Sequence, residues 1–273
     1  MKRWFFVFVL LAGLAALLLA RSPSGNLAVV KIEGGIFESD PTLRQFEDLK
    51  KSEEVKAVVL RIESPGGSIG ASQEIHDGVE DLKKVKTVVA SLGSVAASGG
   101  YYVALPSHKI VANPGTITGS IGVRMEYLNV ENLLNFVKVH QETLKSGRWK
   151  DVGSPTRPMD AEERAFLETI LKKLHDQFKK TVASHRGLSA EQVGELAQGQ
   201  IFTGEEAKEK GLVDELGNLQ TAIQTAASLA GLEKPEIFYP EKEYKGFLEW
   251  IFGRAGTAVR KMFIDVPRVQ FFY

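Results

Sequence analysis

The chain has no cysteine among its 273 residues, and its 34 basic and 34 acidic residues give a formal net charge of zero at pH 7. Without cysteine there are no disulfides, thiol nucleophiles or zinc–thiolate sites. Without a basic excess to neutralise phosphates, nucleic acid is not an expected partner. Histidines are few, and their scatter predicts neither a zinc site nor Ser-His-Asp catalysis, so we expect no metal and no cofactor. They are His76, His108, His140, His175 and His185.

A long apolar run stands at the N-terminus. Trp4 to Ala20 is seventeen residues without a charge, and the basic residues Lys2 and Arg3 precede it. This pattern predicts a transmembrane signal anchor over residues 1–25. The basic end stays in the cytoplasm, and the rest of the chain lies on the extracytoplasmic side of the cytoplasmic membrane. A cleaved signal peptide is the alternative, although no Ala-x-Ala site ends the run.

Strand and helix patterns alternate through the next part of the chain. Apolar runs typical of buried strands occupy residues 27–32, 55–62, 87–91 and 109–112. Helical spacing or capping patterns mark residues 69–85, 160–185, the segment after 189, 203–211 and 219–229. The alternation predicts one α/β domain with a largely parallel sheet over residues 26–235.

The C-terminal extension, residues 236–273, mixes aromatic with basic side chains. It could lie on a membrane surface as an amphipathic segment, pack on a neighbouring subunit, or complete the core. We expect a subunit contact, in which Phe271, Phe272 and Tyr273 dock on a neighbour.

Ser98 is the candidate nucleophile. It lies in a stretch of small residues after the strand at 87–91, and Gly99 and Gly100 separate it from a short apolar segment of helical character. A turn between strand and helix suits a nucleophile, because the unpaired N–H groups of a helix start can stabilise an oxyanion. A capping role for Ser98 and Ser94 as the nucleophile are the alternatives.

Five motifs occur in a recognisable order, and together they resemble signal peptide peptidase A, a family of the ClpP/crotonase fold group. The resemblance covers about residues 27–231. The motifs are Ser-Pro-Gly-Gly at 64–67, Ala-Ala-Ser-Gly-Gly-Tyr-Tyr at 96–102, Thr-Gly-Ser-Ile-Gly at 118–122, Lys-Ser-Gly-x-x-Lys-Asp at 145–151 and Thr-Gly-x-x-Ala-x-x-x-Gly-Leu-Val-Asp at 203–214. One departure is Gln200, where the family often has arginine.

The resemblance implies a serine–lysine dyad in a ClpP/crotonase-like core. Ser98 would be the nucleophile, Lys150 the general base, and Ser120 a hydroxyl that holds the lysine amine. A turn-forming role for Ser120 is nearly as well supported. The oxyanion would be bound by the N–H groups of Gly99 and of Gly66 or Gly67.

A lysine acts as a base only when it is neutral. A free lysine has a pKa of about 10.4, so we expect burial to favour the neutral amine of Lys150. A carboxylate beside that amine would oppose this effect, and we therefore predict that Asp151 turns away or is bound elsewhere. Lys145 is the alternative base.

The function implied is a membrane-anchored serine endopeptidase that degrades cleaved signal peptides and other unstructured hydrophobic segments. The resemblance also implies a homo-oligomeric ring or dome. Two alternatives remain: a crotonase-like enzyme acting on acyl-CoA thioesters, in which glycine-rich turns bind the thioester oxyanion, and a catalytically inactive membrane scaffold.

Overall fold

The computed structural model describes residues 25–240 and the backbone of residues 270–272. The predicted anchor, residues 1–25, lies outside these ranges except for Gly25, as does most of the predicted C-terminal extension. Among the described residues, no helix combines the length and the apolar character needed to cross a membrane.

The strands of the described residues are β1 (Leu27–Glu33), β2 (Ala57–Ser64), β3 (Thr87–Ala97), β4 (Lys109–Ala112), β5 (Ile117–Gly119), β6 (Arg124–Glu126), β7 (Ile201–Thr203), β8 (Glu215–Leu216), β9 (Ile237–Phe238) and β10 (Gln270–Phe272). Eight of them form one sheet in the order β7-β5-β3-β2-β1-β9, with β4 beside β3 and β8 beside β4. The neighbouring strands pair in parallel, except that β5 and β7 are antiparallel. Strands β6 and β10 form a separate antiparallel pair.

Several helices begin where the sequence supplies a cap. The long helix α5 (Ala161–Arg186) starts with a capping box between Asp160 and Glu163, and its C-cap is Gly187, whose φ is 63°. Such caps satisfy N–H groups that the first turn of a helix leaves without partners. The helices of the described residues are α1 (Asp40–Lys51), α2 (Ile69–Lys83), α3 (Gly99–Ala104), α4 (Glu131–Phe136), α5 (Ala161–Arg186), α6 (Ala190–Leu196), α7 (Gly204–Glu209) and α8 (Leu219–Leu229).

Both faces of the sheet are buried, which explains why its strands read as continuous apolar runs. Alternate residues of β1 serve the two faces. Val30 and Ile32 join the larger apolar cluster with residues of α1, α2, α3 and α5. Leu27 and Val29 join the smaller cluster, which α8 covers. The predicted α/β fold with a mostly parallel sheet is thereby confirmed.

Strand β3 is longer than predicted and shapes the site. The prediction ended the strand at residue 91, but it continues to Ala97. Its first half pairs with β4, and its second half, Val95 to Ala97, pairs with β5. The small residues after position 92 therefore stay extended, because β5 replaces β4 as the hydrogen-bonded neighbour of β3. The turn to α3 contracts to Ser98 alone.

Two short strands come from the region predicted to be an extension. β9 joins the main sheet beside β1. β10 pairs with β6 of the same chain, so that Phe271 lies opposite Met125. The expected contact of Phe271, Phe272 and Tyr273 with a neighbouring subunit remains a prediction.

Candidate active site

Three chain turns meet at one cavity of about 680 Å³. They follow the carboxyl ends of β2, β3 and β5, which adjoin in the sheet. Crevices outside the carboxyl ends of parallel strands are common ligand sites in α/β sheets. The lining includes Pro65, Gly66, Gly67, Ser98 and Ser120. The cavity thus brings together four of the six residues predicted for the site.

Ser98 occupies a strained turn on this cavity. Its backbone angles are φ 54° and ψ −119°, and a non-glycine residue with positive φ is uncommon. Two hydrogen bonds hold the turn: the Ser98 N–H donates to the carbonyl oxygen of Gly119 at 2.8 Å, and its own carbonyl oxygen accepts from the Tyr102 N–H at 2.9 Å. Ser98 is only 6% exposed. A tight strand-to-helix turn is also how α/β-hydrolases present a serine nucleophile.

Replacing Ser98 by glycine should stabilise the protein while removing the nucleophile. Relieving the backbone strain should stabilise the folded protein by about 1–3 kcal/mol. The greater flexibility of glycine in the unfolded chain offsets roughly 0.5–1 kcal/mol of this gain. We expect a net gain of about 1 kcal/mol, or a Tm increase of about 3 °C. Thermal unfolding of the two variants checks this. Ser98→Ala keeps the positive φ and should show no such increase; an equal increase in both variants would contradict the strain argument.

Glycines are needed beside Ser98 because backbones approach closely there. A Cβ on Gly99 would lie 3.2 Å from the Gly67 nitrogen, and a Cβ on Gly67 would lie 2.1 Å from the carbonyl oxygen of Ile36. The Gly66 N–H already donates to the Ser64 hydroxyl at 3.1 Å. Of the two glycines predicted to share the oxyanion with Gly99, this contact favours Gly67.

Ser120 lines the same cavity as Ser98 and also has a positive φ, of 51°. Its N–H donates to the carbonyl oxygen of Gln200 at 2.8 Å. Gln200 contributes its backbone carbonyl oxygen to this contact. The contact with Ser120 therefore does not depend on whether the side chain at position 200 is glutamine or the arginine common in the family.

Lys150 is exposed and is not among the residues that line the cavity. The structure of one chain therefore does not bring the predicted base to the predicted nucleophile. The alternative base, Lys145, and the alternative nucleophile, Ser94, are not among the cavity residues either. The amine of Lys145 is paired with Asp151, and Ser94 is exposed and outside the lining.

Asp151 is bound by two cations, as predicted. Its carboxylate accepts from the Lys145 amine at 2.6 Å and from Nε of Arg157 at 2.9 Å. Pairing with Arg157 and Lys145 lowers the pKa of Asp151 from 3.8 to about 2. The Arg157 guanidinium also binds buried Glu163 in the first turn of α5. Arg157 thus tethers the loop that carries Lys150 to α5.

Replacing Arg157 by glutamine should release this loop. Buried Glu163 would lose its cation, which is strongly destabilising, so we expect Tm to fall by several degrees and hydrogen exchange to rise in residues 145–157. The tether also depends on pH. The pKa of Asp151 is lower in the folded protein than in the unfolded chain. The contribution of the Asp151 carboxylate to folding stability is therefore fully present above about pH 4 and is lost as the pH falls through about 2. Unchanged exchange in Arg157→Gln, with Lys172→Gln on the outer face of α5 as the control, would count against the tether.

His175 is a cavity residue that the sequence interpretation missed. It projects from α5 into the cavity lining, and its Nε2 atom is buried without a hydrogen-bond partner among the described residues. Its position four residues after Leu171 and three before Phe178 puts it on the apolar side of the predicted helix. That spacing could have identified it as an inward-facing residue.

The mostly parallel α/β fold fits a ClpP-like core, and a serine on a strained turn of the cavity fits the serine hydrolase class. Comparison with known sequences agrees: residues 80–233 match Peptidase family S49, and residues 38–115 match Clp protease. The chain belongs to peptidase family S49 and is a serine-type peptidase of the signal peptide peptidase A type.

Three similar proteins carry names that begin with "Putative". Protease MJ0651 of Methanocaldococcus jannaschii is 41% identical over 202 residues, which are 74% of this chain and 65% of that protein. Protease slr0021 of Synechocystis sp. is 43% identical over 214 residues, or 78% and 77%. Signal peptide peptidase SppA of Enterococcus faecium is 33% identical over 248 residues, or 85% and 72%.

Proposed function

We propose that this peptidase is anchored in the cytoplasmic membrane by its N-terminal apolar run and degrades cleaved signal peptides and other unstructured hydrophobic segments on the extracytoplasmic side. The observation that carries the proposal is the strained turn of Ser98 on a cavity shared with Gly67. The location rests on the sequence of residues 4–20.

In the proposed reaction, the Ser98 hydroxyl oxygen attacks the scissile carbonyl carbon, and a base takes the hydroxyl proton. The N–H groups of Gly67 and Gly99 bind the resulting oxyanion; losing one such donor raises the barrier by about 3 kcal/mol. The base then gives its proton to the leaving amine, and an acyl-enzyme remains. Water attacks this ester while the base takes a proton from the water. The base returns that proton to the Ser98 oxygen as the ester C–O bond breaks, which regenerates Ser98 and releases a carboxylic acid that ionises in solution.

The site favours extended, partly apolar substrates. Ser98 lies below the surface and is 6% exposed, so a peptide must enter the cavity as a single strand. Phe37 lines the cavity and is itself 63% exposed, and Val123 also lines it. Such side chains offer apolar contacts to a peptide that pairs with nearby backbone. A folded protein cannot present a segment in this way.

Lys150, as the base, would come from a second copy of the chain. A general base must lie within hydrogen-bond reach of the proton that it removes, and Lys150 is exposed and outside the cavity of its own chain. Large apolar side chains are exposed in the residues that precede it. They are Leu128, Leu133, Phe136, Val137, Val139, Leu144 and Trp149.

An apolar surface of this kind is typical of a subunit contact. When a loop of one subunit docks on the cavity of the next, the contact is head-to-tail, and repetition forms a ring if the rotation between neighbouring subunits closes. The contact would also bury Lys150, which favours the neutral amine. We therefore propose a homo-oligomeric ring whose active sites lie between subunits.

His175 is a second candidate for the base. His175 lines the cavity that holds Ser98 of the same chain, its buried Nε2 atom has no hydrogen-bond partner among the described residues, and histidine is the commonest general base. With His175 as the base, the site would be complete in one chain and would need no neighbour.

The proposal is tested by offering purified full-length protein three substrates: an extended signal peptide, a folded protein and an acyl-CoA thioester. We expect the wild type to cleave the peptide only, and Ser98→Ala to cleave nothing. Peptide cleavage that survives in Ser98→Ala would refute the assignment of the nucleophile. Turnover of the thioester without peptide cleavage would favour a crotonase-like enzyme, and inactivity on all three substrates would favour a scaffold.

A further inference from the structure

Two histidines that lie 109 positions apart in the sequence meet where α2 contacts the end of α5. His76 on α2 and His185 at the end of α5 have their Nε2 atoms 3.1 Å apart. Glu80, one turn after His76 on α2, has a carboxylate oxygen 3.4 Å from the same His185 atom. One ligand atom from each of the three residues lies within 4.8 Å of the other two.

Two of these three separations suit a tetrahedral metal ion. Zinc binds imidazole nitrogen at about 2.0–2.1 Å and carboxylate oxygen at about 2.0–2.2 Å, and the tetrahedral angle then puts two ligand atoms about 3.3 Å apart. The nitrogen–nitrogen and nitrogen–oxygen separations of 3.1 and 3.4 Å lie on either side of this value. Two imidazoles and one carboxylate also favour a transition metal over calcium or magnesium, which prefer oxygen ligands.

A neighbouring carboxylate prepares His76 for this role. The Nδ1 atom of His76 lies 3.0 Å from a carboxylate oxygen of Asp77. When Nδ1 donates its hydrogen to Asp77, the Nε2 atom is left with the lone pair that a metal needs. Protein zinc sites commonly orient their histidines through such a second carboxylate.

The surroundings provide rigid walls and an entrance. His76 is buried, and its ring packs against Tyr102 at 4.9 Å between centroids, while Tyr102 packs against Phe178 at 5.0 Å. The side chain of Glu80 is 37% exposed and that of His185 is 16% exposed. An ion can therefore enter from the Glu80 side, where water can supply the fourth ligand.

We propose that His76, Glu80 and His185 bind one divalent transition-metal ion, with zinc as the best match to the ligand set. The ion would join α2 to the C-terminal end of α5. Its role is structural, because none of the three residues lines the cavity of Ser98. It would nevertheless stabilise the packing around Tyr102, which lies in the helix that begins after Ser98.

The test uses metal-free full-length protein in detergent, titrated with Co²⁺ and then with Zn²⁺. We expect one Co²⁺ per chain with the visible absorption of a tetrahedral site, displacement of Co²⁺ by Zn²⁺, and a Tm that rises with Zn²⁺ concentration. Glu80→Gln and His185→Gln should each weaken binding by about tenfold or more. Glu80 is half-exposed, so Glu80→Gln is the variant least affected by folding defects.

His140→Gln is the matched control, because His140 is exposed and far from the cluster in the sequence; it should bind metal like the wild type. Absence of saturable binding would overturn the proposal. So would binding that Glu80→Gln and His185→Gln leave unchanged, since the ion would then occupy other residues. Peptide cleavage plays no part in this readout, so the result is independent of the proposed function.

Discussion

A one-to-one mixture of Ser98→Ala and Lys150→Ala is expected to recover about a quarter of wild-type peptidase activity, although each variant alone is inactive. In a head-to-tail ring each site combines Ser98 of one subunit with Lys150 of the next. After random reassembly, about one contact in four joins an intact serine to an intact lysine. The measurement is the rate of peptide cleavage after the variants are dissociated in detergent and reassembled together.

The control for this experiment is the same mixture without the dissociation step, which should stay inactive. Lys145→Ala alone should remain active, because its amine pairs with Asp151 and has no part in the reaction. If the mixed oligomer forms, as judged by its mass, and stays inactive, the base belongs to the same chain as Ser98.

Lys150→Ala is expected to lower kcat by about 10³-fold or more, whereas His175→Gln should lower it by less than about tenfold. We expect the large loss in Lys150→Ala because the proposed base removes a proton in both steps, from the Ser98 hydroxyl during acylation and from water during deacylation. The pH dependence gives an independent readout. With a lysine base, the wild-type rate should rise into the alkaline range as the amine loses its proton; a histidine base gives a rate that levels off near neutrality.

The opposite pattern would reassign the base. A large loss in His175→Gln, together with a rate that is flat above neutral pH and near-normal activity in Lys150→Ala, would place the reaction within one chain. Circular dichroism of both variants controls for folding, since His175 is partly buried and Lys150 is exposed.

The sequence predicts much of the fold because the elements are long or well capped. The apolar run at 87–91 and the stripe along α5 could be read directly. The short strands β5 to β8 could not, because two or three residues carry no periodicity of their own. These strands form because neighbouring strands supply hydrogen-bonding partners. For example, β5 pairs with the second half of β3.

The candidate site was partly readable for a similar reason. The glycines of 64–67 and the small residues around Ser98 mark places where backbones must come close, and the structure shows those contacts. The backbone strain at Ser98 leaves no mark in the sequence. His175 entered the cavity through helix packing, and His76 met His185 through the crossing of α2 and α5. The contact between His76 and His185 has no sequence spacing that could reveal it, whereas the helical spacing of His175 indicates only that this residue faces inward.

The proposed reaction depends most on Ser98 being the activated hydroxyl. The direct measurement is labelling of the full-length protein with a fluorophosphonate, which phosphonylates an activated serine, followed by mass spectrometry of its peptides. We predict one label per chain on Ser98 and no label on Ser98→Ala. A label on Ser94 or Ser120 with Ser98 unmodified, or equal labelling of Ser98→Ala, would contradict the account.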